Sequence, residues 1–196
     1  MEKVVLASRN KGKIKEIGDV LGKFGMTVVS RDDYGIDAFE VEETGETFEE
    51  NSYIKAKAIL DIAGVPTIAD DSGLEVDCLN GAPGVYSARF AGEGCTPHDN
   101  NVKLLGLLKG IPYEERTARF VSVIIMLFPD GRKLVARGEC PGHIAEDFRG
   151  EGGFGYDPIF IPEGRDETFG EMSAEEKNAI SHRGRSLARL EEMLGE

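Results

Sequence analysis

The sequence contains no tryptophan, only three cysteines and three histidines, and 23 basic residues against 36 acidic ones. Cys78, Cys95 and Cys140 are isolated, odd in number and without C-x-x-C spacing. That argues against both a disulfide framework and a zinc site, and for buried reduced thiols. His98, His143 and His182 are equally scattered. No apolar run approaches the length of a membrane span, and Met1-Glu2-Lys3 leads straight into a strand-like run. Neither a membrane partner nor a signal peptide is therefore expected, and the expected location is cytoplasmic. The formal net charge of −13 argues against a nucleic-acid polymer as partner, because such binders need a basic face to displace counterions from phosphates. A small anionic ligand stays possible if basic residues gather locally, aided by a divalent cation.

What is present suits a soluble globular chain: 40 % apolar and 30 % charged residues over 196 positions. That length fits a single domain, 1–196, burying about 70 % of its unfolded surface. Lys3-Val4-Val5-Leu6-Ala7 reads as a buried strand, followed by a helix from Lys11 to Leu21 with Ile14, Ile17, Val20 and Leu21 on one face. Met26 to Val29 is a second strand, and the capping-box pattern at Thr47-Phe48-Glu49-Glu50 opens a helix to Ala63. A strand from Val65 then reaches Ala69-Asp70-Asp71-Ser72-Gly73, where a turn is expected before a separate short strand, Leu74-Glu75-Val76-Asp77. Asn80 to Gly94 reads as an ordered loop, and Thr96-Pro97 opens a helix to Leu108. Pro129-Asp130-Gly131 joins two strands as a hairpin, Ile159 to Ile161 forms another strand, and Ser173-x-x-Glu176 starts a helical tract ending near Leu194. Strands alternating with helices around a central hairpin predict an α/β fold. The expected form is a mixed twisted sheet with flanking helices, in two lobes around a central substrate cleft.

Four constellations could carry chemistry. Ser8-Arg9-Asn10-Lys11-Gly12-Lys13 lies between a strand and a helix. Its lysines oppose the helix dipole, a penalty a bound phosphate would reverse; the ordinary alternative is an exposed basic helix start. Adjacent Asp70 and Asp71 repel unless they bind a cation or handle protons, although a solvated turn uses the same residue types. The acidic tract Asp37, Glu40, Glu42, Glu43, Glu46, Glu49 and Glu50 is mostly a solvated loop and helix start. Glu42-Glu43 in it could supply an oxygen ligand to a hard cation, and the spacing does not choose between them. Gly150-Glu151-Gly152-Gly153-Phe154-Gly155-Tyr156-Asp157-Pro158 contains a formal G-x-G-x-x-G, but no helix can open at Tyr156-Asp157-Pro158, so it is not a dinucleotide fingerprint. It is a loop presenting Phe154 and Tyr156, each suited to stacking on a base or to core packing. Lastly, Ser181-His182-Arg183-Gly184-Arg185 suggests a helix break with Ser181 capping a new turn, placing His182 and Arg183 at a helix start.

Taken together, Ser-x-Asn-x-x-Lys, Glu-Glu-Thr-Gly-x-Thr-Phe-x-Glu-Asn, Ala-Asp-Asp-Ser-Gly-Leu, Gly-Ala-Pro-Gly-Val-Tyr-Ser-Ala-Arg, Gly-Gly-Phe-Gly-Tyr-Asp-Pro and Glu-Lys-Asn-x-Ile-Ser-His-Arg occur in that order. The chain thereby resembles the inosine/xanthosine triphosphate pyrophosphatase family over essentially its whole length. The resemblance implies Mg2+-dependent hydrolysis of ITP, dITP and XTP to monophosphate and pyrophosphate by a homodimer that cleans the nucleotide pool. It implies that Ser8, Arg9, Asn10, Lys11, Gly12 and Lys13 hold the triphosphate, with Lys55 and Lys177 as further phosphate contacts. Glu42, Asp70 and Asp71 would serve the metal, with Asp71 as proton acceptor and Ser72 touching substrate. Phe154, Gly155, Tyr156 and Asp157, with His182 and Arg183, would receive the base. Donors such as Arg183 suit the 6-oxo group of hypoxanthine and xanthine and disfavour the 6-amino group of adenine. Removal of the terminal phosphate alone and a non-catalytic nucleotide sensor remain competing readings.

Overall fold

A computed structural model describes residues 2–36 and 41–196, so Asp37 and Glu40 of the acidic tract lie outside the described residues. The strands are β1 (Glu2–Leu6), β2 (Met26–Ser30), β3 (Thr67–Val76), β4 (Thr117–Leu127), β5 (Lys133–Ile144) and β6 (Phe160–Pro162). The helices are α1 (Lys11–Gly22), α2 (Phe48–Ala63), α3 (Pro97–Leu107), α4 (Ala174–Ile180) and α5 (His182–Gly195). The six strands form one sheet in the order β2-β1-β3-β4-β5-β6. β1 runs parallel to both β2 and β3, whereas β5 and β6 are antiparallel, giving the mixed sheet the sequence predicts.

Local chemistry sets the element ends. Asn10 caps α1, and Thr47, Thr96 and Ser173 each complete a reciprocal capping box, on α2, α3 and α4 respectively. The helical tract breaks where expected: Ser181 ends α4, and its Oγ accepts from the Gly184 amide at 3.1 Å, opening α5. Only glycine fits position 184, because a Cβ there would lie 2.3 Å from the Asn178 carbonyl oxygen.

The chain divides into two compact units. The first gathers Met1–Asp71, Ser122–Gly138 and Arg185–Glu196; the second gathers Ser72–Val121 and Glu139–Gly184. In the first, Val4, Leu6 and Ile68 pack with Ile17 and Leu21 of α1 and Leu190 of α5, while Val5 packs with Ile59 of α2. Successive strand side chains point to opposite faces, so α1 and α5 cover one face of these strands and α2 the other. Each fully buried Leu or Ile in this layer contributes about 1.5–3 kcal/mol. The second unit is built on Leu74, Val76, Leu104, Phe160 and Phe169, with Phe120 meeting Phe160 edge-to-face at 4.6 Å. Its buried Arg116 donates to the carbonyls of Leu108, Ile111 and Ala145 at 2.9–3.0 Å, which tie the end of the α3 segment to β5 and its sequel.

Two expectations are corrected. Cys140 alone is a buried thiol, Cys95 being half-buried and Cys78, just past the end of β3, exposed. The Ser72-Gly73 turn and the separate strand after it do not form; β3 continues unbroken through Asp70 and Asp71 to Val76. Two aspartates persist inside a strand because each meets its own lysine. Beyond them the Leu74 amide donates to Ser87 Oγ at 2.9 Å, in place of a turn bond.

Candidate active site

In the first unit, Leu6 of β1 stands opposite both Ser30 of β2 and Ile68 of β3 in the parallel ladders. Ser8, Arg31 and the Asp70-Asp71 pair therefore all follow the same edge, the carboxyl ends of parallel strands, where open α/β sheets receive ligands. A pocket of about 450 Å³ lies there, lined by Ser8, Arg9, Asn10, Arg31, Glu43 and Lys55 among others.

Strand alternation separates the two aspartates. Asp70 shares the face of Ile68, covered by α1, and its Oδ2 lies 2.6 Å from Lys13 Nζ on that helix. Asp71 shares the face of Thr67, whose hydroxyl donates to the Ala56 carbonyl of α2 at 2.9 Å. Accordingly Asp71 Oδ1 lies 3.4 Å from Lys55 Nζ of α2, which also meets Glu43 Oε1 at 3.0 Å. Burial pushes the Asp71 carboxyl above its ordinary value and Glu43 adds to this; Lys55 opposes it without prevailing. Burial alone would disfavour the Lys55 charge, but Asp71, Glu43 and Asp70 outweigh it and raise the lysine pKa.

The phosphate candidates Ser8 to Lys13 fall on the same edge with different duties, whereas Lys177 lies in the second unit, paired with Asp157. Asn10 Oδ1 accepts from the Gly12 and Lys13 amides at 2.9 and 3.2 Å, so the first turn of α1 is capped from within. Ser8 Oγ accepts from the Asn10 amide at 3.2 Å, and Arg9 Nε lies 2.9 Å from Asp32. Lys11 and Gly12 are exposed. Of the two glutamates, Glu43 is the one beside Lys55 in the pocket, while Glu42 is exposed. Sequence reasoning missed Arg31 and Asn51; a basic residue directly after a parallel strand was the available signal for Arg31.

The donors suit a hard cation that is completed by substrate. Asp71 Oδ2 is buried and has no protein partner in normal hydrogen-bonding geometry, and neither has the nearby Asn51 amide nitrogen. Among the described residues no group of three or more His, Cys, Asp or Glu side chains stands ready for a metal ion. Mg2+ commonly uses one or two carboxylates together with substrate phosphates and water, which Asp71 and Glu43 match.

In the second unit a largely apolar pocket of about 310 Å³ is lined by Ser72, Ser87, Phe120, Phe154, Tyr156 and His182, among others. Phe154 is 65 % exposed, and its backbone is fixed by Asp157, whose Oδ2 accepts from the Phe154 amide at 2.7 Å. The same oxygen pairs with Lys177, and Lys177 Nζ also sits 4.2 Å from the Phe154 ring centroid. Burial pushes the Asp157 carboxyl up, while Lys177 and the Phe154 amide work to keep it ionised. Gly153 is required: its φ is +75°, and a Cβ would meet Asp157 Oδ2 at 2.0 Å.

Tyr156 is a core residue that contributes wall rather than an open stacking face, its hydroxyl donating to the Ser87 carbonyl at 2.7 Å. The Gly155 carbonyl is held by Asn101 Nδ2 at 2.9 Å. His182 stacks on Phe120 with ring centroids 4.8 Å apart, and Arg183 follows it in the first turn of α5. A single turn, Asp157–Ile159, and then β6 follow the glycine-rich loop, so no dinucleotide-binding helix opens there. The site residues thus form two sets: Ser8 to Lys13, Glu43, Lys55, Asp70 and Asp71 in the first unit, and Ser72, Phe154 to Asp157, Lys177, His182 and Arg183 in the second.

Known proteins resemble this one along the whole chain. Over 195 residues the sequence is 49 % identical to a dITP/XTP pyrophosphatase of Geobacter sulfurreducens, covering 100 % of this chain and 98 % of that protein. It is 52 % identical over 193 residues to the enzyme of the same name from Desulforamulus reducens, covering 98 % and 95 %. The solved structure of the Staphylococcus aureus Ham1 protein superimposes with a TM-score of 0.93 at 43 % identity, covering 99 % of this chain and 98 % of that one. The family model of the Ham1 family matches residues 4–193. The chain belongs to the Ham1 family.

Proposed function

We propose that the protein hydrolyses non-canonical purine nucleoside triphosphates, ITP, dITP and XTP, to the nucleoside monophosphate and pyrophosphate. The observation that carries this is Asp71: a carboxylate with one oxygen beside Lys55 and the other buried near the Asn51 amide but outside normal hydrogen-bonding geometry, at the edge where the parallel strands end. Whole-length relatives named dITP/XTP pyrophosphatase support the substrate class.

In this reading the first unit receives the triphosphate. Asp71 and Glu43 would hold Mg2+, with Asp70 in support, and the ion when bound acidifies water and screens phosphoryl charge. Asp71 accepts the proton of the attacking water, which the bound ion has already made more acidic. Lys13 and Lys55, oriented by Asp70 and by the Asp71-Glu43 pair, counter the charge growing on phosphoryl oxygens. The second unit receives the base: Phe154 offers the stacking face, and His182 and Arg183 donate to the 6-oxo group. Asp157 and Lys177 act by setting Phe154. Recognition by such polar donors can discriminate by up to about 10⁴–10⁵ against a base that lacks the acceptor. A cytoplasmic homodimer completes the proposal.

A turnover panel with ITP, XTP, GTP and ATP, read by pyrophosphate release, tests the reading. Pyrophosphate from ITP and XTP with far slower turnover of ATP is expected; orthophosphate as the product from ITP would refute it.

A further inference from the structure

We propose that Arg31 is a further substrate-binding residue that recognises the distal pyrophosphate half of the substrate, with Asp32 positioning it. The inference rests on the triphosphate pyrophosphatase reading and adds a residue to it.

Three observations carry it. First, backbone geometry delivers Arg31 to the site: it follows β2 directly, and its amide donates to the Leu6 carbonyl at 3.0 Å, beside the strand that leads to Ser8. Second, its side chain is only 14 % exposed and lines the 450 Å³ pocket with Arg9 and Asn10. There it adds a second guanidinium to a pocket that also holds the Lys55 ammonium. Third, one carboxylate aims both arginines: Asp32 Oδ2 lies 2.9 Å from Arg9 Nε, and Oδ1 lies 3.6 Å from Arg31 Nε.

The division of cations then follows the chemistry. Lys13 and Lys55 are tied to the carboxylates that act at the α-phosphorus. The β- and γ-phosphates lie beyond that atom and need other donors, and a planar guanidinium fork matches phosphate oxygens in a way an ammonium cannot. As the water oxygen bonds to the α-phosphorus, the bond to the bridging oxygen breaks and its electron pair leaves with pyrophosphate. Arg31 meets the charge that builds on that leaving group, while the water proton passes to Asp71.

The test is steady-state kinetics of Arg31→Gln and Arg31→Lys, with inhibition by inorganic pyrophosphate and by IMP measured in parallel. Arg31→Gln is expected to lower kcat/KM for ITP by about tenfold or more and to weaken pyrophosphate inhibition similarly, as loss of a charged hydrogen bond does. IMP inhibition should stay within about twofold, because IMP has no distal phosphates. Arg31→Lys should recover part of the loss in both, and serves alone if the glutamine variant does not fold. Equal weakening of pyrophosphate and IMP inhibition would mark Arg31 as merely structural and overturn the inference, as would unchanged kinetics. Release of orthophosphate by the unmodified protein would instead refute the parent reading, whatever the variants do.

Discussion

A carboxylate next to an ammonium normally ionises more easily, yet burial keeps the Asp71 pKa above the ordinary aspartate value. Replacing Asp71 with Asn should lower ITP turnover by about 10²–10⁴ while calorimetry shows ITP still bound. Turnover that survives the change would remove Asp71 from the reaction. Asp157 predicts a different signature, because it touches Lys177 and the Phe154 amide from a buried position. Asp157→Asn leaves a buried ammonium poorly matched and should cost about 3 kcal/mol in denaturant unfolding, with KM for ITP rising more than kcat falls. Individual roles were legible in the sequence only in part. Asp71 and Phe154 stood out by residue type and neighbours. That Glu43 rather than Glu42 lines the pocket, and that Arg31 joins it, depend on where Lys55 and Leu6 arrive from distant parts of the chain, which no local spacing encodes.

Helix ends were the most readable elements, since capping is decided within four residues. Thr47, Thr96, Ser173 and Ser181 all cap as their spacing predicts. β3 was misread because Asp, Ser and Gly are turn formers locally, and their neutralisation comes from α1 and α2. The caps also set an acid response. Asp99 and Glu176 are held below their ordinary pKa values by bonds from Thr96 and Ser173, as are Asp130 by Arg132 and Glu171 by the Thr168 amide. Lowered native pKa values mean that this stability is fully present above the unfolded values, 3.8 for Asp and 4.5 for Glu, and is lost as pH falls through the native ones. These four groups pull urea midpoints down below about pH 5, while the raised Asp71 and Asp157 carboxyls pull the other way; Asp99→Asn should therefore reduce the acid-side loss of midpoint relative to the unmodified protein. At the junction of α4 and α5, Gly184→Ala forces a methyl onto the Asn178 carbonyl and should destabilise by about 1–3 kcal/mol in the same assay.

At the scale of the molecule, a net charge of −13 coexists with basic side chains concentrated at one strand edge. Free nucleotides reach such an edge, whereas a DNA duplex meets repulsion from the rest of the surface. Mobility-shift assays at about 0.15 M salt should show no duplex binding by protein that turns over ITP. Among the described residues no helix is long and apolar enough to cross a membrane. The proposed homodimer predicts twice the 21.3 kDa chain mass by sedimentation equilibrium. The alternation of β3 has a last consequence. Asp70 reaches Lys13 and Asp71 reaches Lys55 only because an odd–even count from Ile68 assigns them to opposite helices. Inserting one residue between Ile68 and Asp70 would turn each aspartate toward the opposite helix while leaving every functional side chain in the sequence, and inserting two would restore the faces but carry both carboxylates about 6–7 Å past their lysines. The length of this strand is thus under as firm a constraint as the identity of the residues it carries.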